Sequence, residues 1–476
     1  MALLTGLTSI VGSINVEVYN TFPWALILNS GMSGIGFYAL RIILLTVCLK
    51  LILSPLDFFQ RYKMRKNQLI TIRLKPQMEK LEKAYGDNPK VLQQKQAELN
   101  KREGMSYLAS CLPMIVTLVI FIWLWNSLRT NAEFKQFDNY VNIYEVYSSA
   151  YTESFGDYYD ENTGKLADGF AVEYADAYAD EIAPALSDGT ASKDEVSAAV
   201  TAASATVSGS DFASVEYFDL FASVYGDVYS QYYVDHASEA DVATKAANMA
   251  RERASDSVSD YCSVVAQDAA YAYFTGTGAY ENKGYEYDSF LWIKDIWSPD
   301  TPWSKTIAVS QSDFASRIGS YATNASLSGL EQEQLDDIVN SYDVVMARII
   351  EEGDYGTNGF LVLPIITVAL NILTQIITRR QQKSSGQDAN LGQNKGCMTA
   401  MVVIMPVIMG YFAIMYCAAF TLYMVTNSTM SLLINLVTTG ITRKMIPVSK
   451  GKSESGEIVE LHGRPDPNSD FGKRRK

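Results

Sequence analysis

Five apolar runs, at residues 36–56, 107–128, 359–378, 397–416 and 419–441, constrain this chain more than any other feature. Each is about 20 residues long, which at about 1.5 Å of rise per residue matches a hydrocarbon core of about 30 Å. Five such runs call for an all-α polytopic membrane protein. The overall composition hides this, because the spans are averaged with a very different polar material.

The net charge of -14 is also an average. Residues 130–357 hold 40 of the 53 carboxylates but only 11 of the 39 Lys and Arg, so the rest of the chain is strongly basic. That basic remainder lies between and after the apolar runs: residues 57–104 carry 12 Lys and Arg against 6 acids, and residues 379–395 carry four against one. Short basic loops stay in the cytoplasm, whereas long loops cross largely regardless of charge. The short loops therefore set the topology, with the N-terminus out and the C-terminus in.

The expected organisation follows in order. Residues 1–35 form an extracytoplasmic or interfacial segment, 36–56 the first span, 57–106 a cytoplasmic basic helical hairpin and 107–128 the second span. Residues 129–357 form a large acidic extracytoplasmic insertion. Residues 358–378, 397–416 and 419–441 are the last three spans, with a cytoplasmic loop at 379–396 and a basic cytoplasmic tail at 442–476. The first 35 residues lack a basic n-region and are interrupted by Glu17, Asn20 and Pro23, so they do not read as a cleavable signal. Tyr19 and Trp24 suit the headgroup level instead.

In the hairpin, Gly86-Asp87-Asn88-Pro89 marks the turn, and Leu74, Met78, Leu81 and Tyr85 recur at helical spacing as one apolar stripe. Its charges read either as a solvated face or as a surface for anionic lipid or ribosomal RNA. Residues 130–285 are rich in Ala, Ser, Asp and Tyr and poor in aliphatic side chains. Tyrosines at 225, 229 and 232 suggest amphipathic helices packed on tyrosine, with disorder as the alternative. Catalysis has little footing. The two histidines, His236 and His462, sit in no metal-ligand spacing, and there is no phosphate loop or nucleophile pattern, so neither catalytic residues, a metal site nor a cofactor is expected.

Within the spans the first run carries two cations, Arg41 and Lys50. Arg41 lies about 7–8 Å from the outer end, close enough to act as an interface anchor. Lys50 is deeper. A central Lys costs about 2.5–3.5 kcal/mol, offset here by a hydrated cavity or by snorkelling to the cytoplasmic side. Polar residues that would line such a cavity are Thr117, Asn126, Asn371, Thr374, Gln375, Thr421, Thr426 and Asn427, with Asn435 further along the last span. For any one of them alone, an interhelical hydrogen bond is the plainer use. None of the five runs contains Asp or Glu, which argues against a proton relay or a carboxylate-coupled pump.

Several short segments together resemble the YidC/Oxa1/Alb3 membrane protein insertases. They are Lys50-Leu-Ile-Leu-Ser-Pro55, Leu74-Lys75-Pro76 with Tyr85-Gly86-Asp87, Cys111-Leu112-Pro113 and Phe290-Leu-Trp-Ile-Lys-Asp295. Leu363-Pro364 with Gln375, Met405-Pro406-Val407-Ile408 and Leu422-Tyr423-Met-Val-Thr-Asn427 complete the set. The resemblance covers about residues 36–129 and 288–445. It departs from the family pattern at Lys50, where arginine is usual and its planar five-donor fork is lost, and in a long insertion before the Leu-Trp-Ile motif.

The resemblance implies an insertase of the bacterial cytoplasmic membrane. A hydrophilic groove, open to the cytoplasm and carrying Lys50 as its charge, would lower the cost of moving a client's polar flank. Implied partners are nascent membrane proteins, the ribosome or Sec translocon, and anionic lipids, with no small-molecule substrate. The alternative is a membrane-anchored extracytoplasmic receptor or adhesin whose acidic region does the work. A receptor, however, has no use for a basic hairpin or an intramembrane cation.

Overall fold

The structure is a computed structural model that describes residues 27–103, 108–184, 186, 192–353, 355–383 and 395–446. Outside these residues fall the interfacial segment expected around Tyr19 and Trp24, most of the 379–396 loop and nearly all of the basic tail. The side chain of Thr117 is likewise outside the described set.

A π-helical turn at Ile27–Gly31 leads into α1 (Tyr38–Tyr85), α2 (Pro89–Arg102) and α3 (Leu108–Phe155). A short hairpin, β1 (Tyr159–Asp160) paired antiparallel with β2 (Lys165–Leu166), precedes α4 (Asp168–Ile182), α5 (Lys193–Val207), α6 (Phe218–Asp235) and α7 (Val242–Thr275). Then come α8 (Gln311–Ile318) and α9 (Gln332–Asn340), with shorter helical turns around them. The chain closes on α10 (Val362–Lys383), α11 (Lys395–Met415) and α12 (Ala418–Met445).

Among the described residues, two helical segments are long and apolar enough to cross a membrane, Tyr38–Asn67 and Ala418–Met445. Val362–Thr378 and Pro406–Met415 are shorter apolar helices. The chain divides into two compact units. One collects Glu133–Glu286 and Ile307–Gly356, and the other collects the described parts of Val18–Ala132, Tyr287–Thr306 and Thr357–Lys476. The acidic region is thus not one block, because its Tyr287–Thr306 stretch belongs to the unit that holds the apolar helices.

The acidic unit solves its shortage of aliphatic side chains with tyrosine and alanine. On α6, Phe221, Tyr225, Tyr229 and Tyr233 follow every fourth residue and stack along the helix at 6.0–6.1 Å. Tyr174 and Tyr178 of α4 meet Tyr225 edge-on at 5.3 and 5.0 Å, the offset geometry that aromatic quadrupoles favour. Tyr233, and not Tyr232, completes the buried stripe; Tyr232 is half-buried and stacks on His236. Against these large rings α7 presents Ala246, Ala250, Ala254, Val258 and Cys262, all fully buried. Small residues at every fourth position let the helices approach closely, so large and small side chains alternate across the contact. A second aromatic group joins the later part of α3 to α8: Tyr140 packs at 4.7 Å on Phe314, which stacks at 4.3 Å on Tyr342. The Tyr140 hydroxyl donates to the Ile338 carbonyl at 3.0 Å.

In the other unit α1 runs 48 residues without a break, although Pro55 interrupts its hydrogen-bond ladder. Proline lacks the N–H that would bond the carbonyl four residues earlier. The neighbouring hydroxyl of Ser54 donates to that Leu51 carbonyl at 2.8 Å, which keeps the group satisfied. The helix continues to a turn at Gly86–Asn88, where Asn88 caps α2 by accepting from the Val91 N–H at 3.4 Å. Leu74 and Met78 are buried with Ile70 against Leu99 of α2. Leu81 is half-buried and Tyr85 is exposed beside the turn, so the apolar stripe is covered only over its first part.

Helix α12 packs along α1, and α10 packs on both α11 and α12. Gly410 of α11 sits where a Cβ would come within 2.8 Å of Val368 on α10, so the α10–α11 contact depends on its missing side chain. The core of this unit collects Tyr38, Ile42, Leu124, Leu128, Trp297, Cys417, Phe420, Leu422, Tyr423 and Met424.

Candidate functional site

Two features of this unit bear on function. One is a polar knot in Tyr287–Thr306 and Asn358–Leu363, at the ends of the apolar helices. The other is a charged face along α1.

The knot is built around buried Asp295, Asp300 and Asn358. The Asn358 amide donates to the carbonyls of Asp295, Ser298 and Pro299 at 2.8, 2.9 and 3.0 Å and accepts from the Asp295 N–H at 2.8 Å. Asp300 accepts from the N–H groups of Phe360 at 2.9 Å and Leu363 at 2.8 Å, at the start of α10. A buried carboxylate is tolerated when several N–H groups point at it, and a helix N-terminus supplies them. Trp297 is fully buried, donates to Asp288 at 2.6 Å and packs edge-on against Tyr38 of α1 at 4.7 Å. The first turn of α12 is tied in as well: Ala418 and Ala419 donate to the carbonyls of Ser298 and Ile296 at 2.9 and 2.7 Å. One short segment therefore fastens α1, α10 and α12 together.

Arg41 belongs to the same end. Its guanidinium donates to the carbonyls of Ile35 at 2.7 Å, Leu28 at 3.3 Å and Ser33 at 3.3 Å, and lies 5.1 Å from the centre of the Tyr38 ring. It pins the segment before α1 through protein carbonyls.

Lys50 is half-buried on α1. Seven residues further on stands Asp57 and eleven residues further on Arg61, which at about 100° per residue puts all three within about 20° of one face. The Asp57 charge acts on both cations. Yet none of the ion pairs within 4.0 Å among the described residues involves Lys50, Asp57 or Arg61. This face crosses the end of the apolar run at residue 56, so the run alone does not reveal it. The signal was the spacing of seven and eleven, legible only once the helix is carried through Pro55.

The polar residues expected to line a cavity divide by how their groups are bonded. Thr374 and Thr426 donate to the carbonyls four residues back, at 2.8 and 2.9 Å, and Asn371 does the same toward Thr367 at 2.9 Å. Such back-bonding satisfies a hydroxyl donor within its own helix and leaves only its lone pairs to face outward. Thr421 is fully buried and bonds across the α11–α12 turn to the Ala413 carbonyl at 3.0 Å, which makes it part of the hairpin. Gln375 keeps a buried Oε1 that has no partner among the described residues. Asn126 and Asn427 are half-buried. Asn435 is buried and accepts from the Thr439 hydroxyl at 3.1 Å. No group of three or more His, Cys, Asp or Glu among the described residues could hold a metal ion.

The family model described as 60Kd inner membrane protein matches residues 30–159 and 269–445, more than half of the chain. The chain belongs to the 60Kd inner membrane protein family. This is the family the motifs resemble, one of inner-membrane proteins and not of enzymes, and it places the chain in the bacterial cytoplasmic membrane. The match reaches into the acidic region from both sides and leaves residues 160–268 without a family counterpart. The membrane protein insertases YidC of Francisella philomiragia subsp. philomiragia and Francisella tularensis subsp. novicida are each 34% identical over 110 residues. That stretch is 23% of this chain and 19% of either relative, so the chain spans about a fifth of the length of the curated relatives it matches. No solved structure matches the chain.

Proposed function

We propose that this protein is a membrane protein insertase and chaperone that receives newly made membrane proteins from the cytoplasm. Five spans cross the membrane, at 36–56, 107–128, 358–378, 397–416 and 419–441, with the N-terminus out and the C-terminus in. The 57–106 hairpin and the 442–476 tail face the cytoplasm, where ribosome, Sec translocon and anionic lipid are the partners their charge suits.

Lys50 is the groove charge. The observation that carries this reading is a half-buried ammonium on a spanning helix with no ion-pairing carboxylate within 4.0 Å among the described residues. Such a cation is costly in hydrocarbon, and function is its usual reason. Asn126, Asn371, Thr374, Gln375, Thr426 and Asn427 line the groove beside it. The back-bonded threonines present acceptors, so donors for an acidic client come from the cations and the side-chain amides. The knot at Asp295, Asp300 and Asn358 closes the outer end and Arg41 anchors it, so a client's polar flank meets a dead-ended hydrated pocket. Its apolar segment then partitions into lipid, which is downhill for about 20 apolar residues and needs no nucleotide.

The test is insertion of a single-span client into proteoliposomes holding the purified protein. Protease-protected client should accumulate with the protein and not with empty vesicles; equal protection in both would end the reading.

A further inference from the structure

We propose that Arg61 is a second cation of the client path, meeting the carboxylates of acidic client segments at the hairpin end of the groove before Lys50 does. The inference rests on the insertase reading and adds to it a named residue and a client class. Arg61 lies three helical turns from Lys50, about 16 Å along the unbroken α1, and on nearly the same face. It is half-buried, and its Nε is buried without a hydrogen-bond partner among the described residues. A buried guanidinium N–H left without an acceptor is unfavourable, more so than a neutral donor, and so points to an anion that completes it.

Among the described residues no carboxylate forms an ion pair with Arg61 within 4.0 Å. Asp57 lies between the two cations, and its single charge acts on both without pairing closely to either. Helices α10, α11 and α12 contain no Asp or Glu at all. Toward its C-terminal end α12, which packs along α1, carries Asn435, Thr438, Thr442 and Arg443, of which Thr438 and Thr442 donate back into their own helix at 2.6 and 2.8 Å. Two cations and one shared carboxylate on a single face leave an excess of positive charge aimed along the route to Lys50. A client carboxylate fits that excess, whereas an uncharged flank gains nothing from it.

The experiment compares two single-span clients that differ only in the tail to be moved, one acidic and one uncharged, in proteoliposomes holding the full chain. Arg61→Ala should lower insertion of the acidic client about fivefold and leave the uncharged client within about a factor of two, the scale of one partly exposed ion pair. Arg61→Lys should restore most of the loss, and Arg61→Glu should deepen it. No loss in Arg61→Ala, or an equal loss for both clients, would overturn the proposal while leaving the insertase reading intact, the second outcome marking a structural role. A loss seen only in vesicles containing anionic lipid would assign the anion to a headgroup and overturn it too. If the unaltered protein inserts neither client, the insertase reading itself fails, and this inference with it.

Discussion

Asp300 and Leu363 are joined by a 2.8 Å hydrogen bond from the Leu363 N–H to the carboxylate, with both residues buried. The bond caps α10 from 63 positions upstream in the chain, so a loop residue fixes where that helix begins. The close backbone at Gly359 is part of the same arrangement, since a Cβ there would lie 1.9 Å from the Asp300 carboxylate.

Asp300→Ala should lower the unfolding free energy by about 1–3 kcal/mol, through a lost cap and stranded N–H groups. Gly359→Ala should cost at least as much, because the carboxylate has to leave its site. In the double variant the clash is gone, so the combined loss should be smaller than the sum of the two. Thermal and denaturant unfolding in detergent would measure all three; strict additivity would mean that the two residues act independently.

The tyrosine core of the acidic unit should make it sensitive to alkali. Burial pushes the phenols of Tyr174 and Tyr229 up to about 12, and those of Tyr178 and Tyr225 also upward. A phenol whose folded pKa is raised keeps its proton more tightly in the folded state, so its contribution is fully present below the ordinary value of about 10 and is lost as pH climbs toward about 12. Tyrosinate absorbance and helicity followed together should show exposed phenols ionising first. The buried ones should ionise in step with loss of helix in that window. Complete ionisation with the helices intact would contradict the packing.

Residues 160–268 have no counterpart in the family model, and the core of α4, α5 and α6 lies within them. Replacing 160–268 by a short Gly/Ser linker should leave insertion per membrane-integrated molecule within about a factor of two, roughly 0.4 kcal/mol. Abolished insertion by a variant that still reaches the membrane would give the acidic unit an essential part, as the receptor alternative requires.

Much of this was legible in the sequence where the signal was local. The turn at Gly86–Asn88 reads directly from Gly-Asp-Asn-Pro, and the apolar runs from composition. What escaped was long-range or depended on continuity. Nothing near Asp300 announces that its partners are Phe360 and Leu363. The division of the acidic region follows from contacts such as that of Tyr140 with Phe314, which no periodicity encodes. Tyr232 and Tyr233 are adjacent and equally aromatic, so spacing alone does not decide that Tyr233 ends the buried stripe of α6. Among the polar span residues, sequence could list Thr374 and Thr426 but could not tell an open hydroxyl from one bonded to its own helix.

The most direct test of the central claim is rescue of cells depleted of their own insertase by this protein carrying Lys50→Ala or Lys50→Arg, scored by insertion of a client with an acidic tail. Lys50→Arg keeps the charge and should rescue nearly as well as the unaltered chain, while Lys50→Ala should lose most of the insertion at equal membrane abundance. Full rescue by Lys50→Ala would remove the charge from the mechanism.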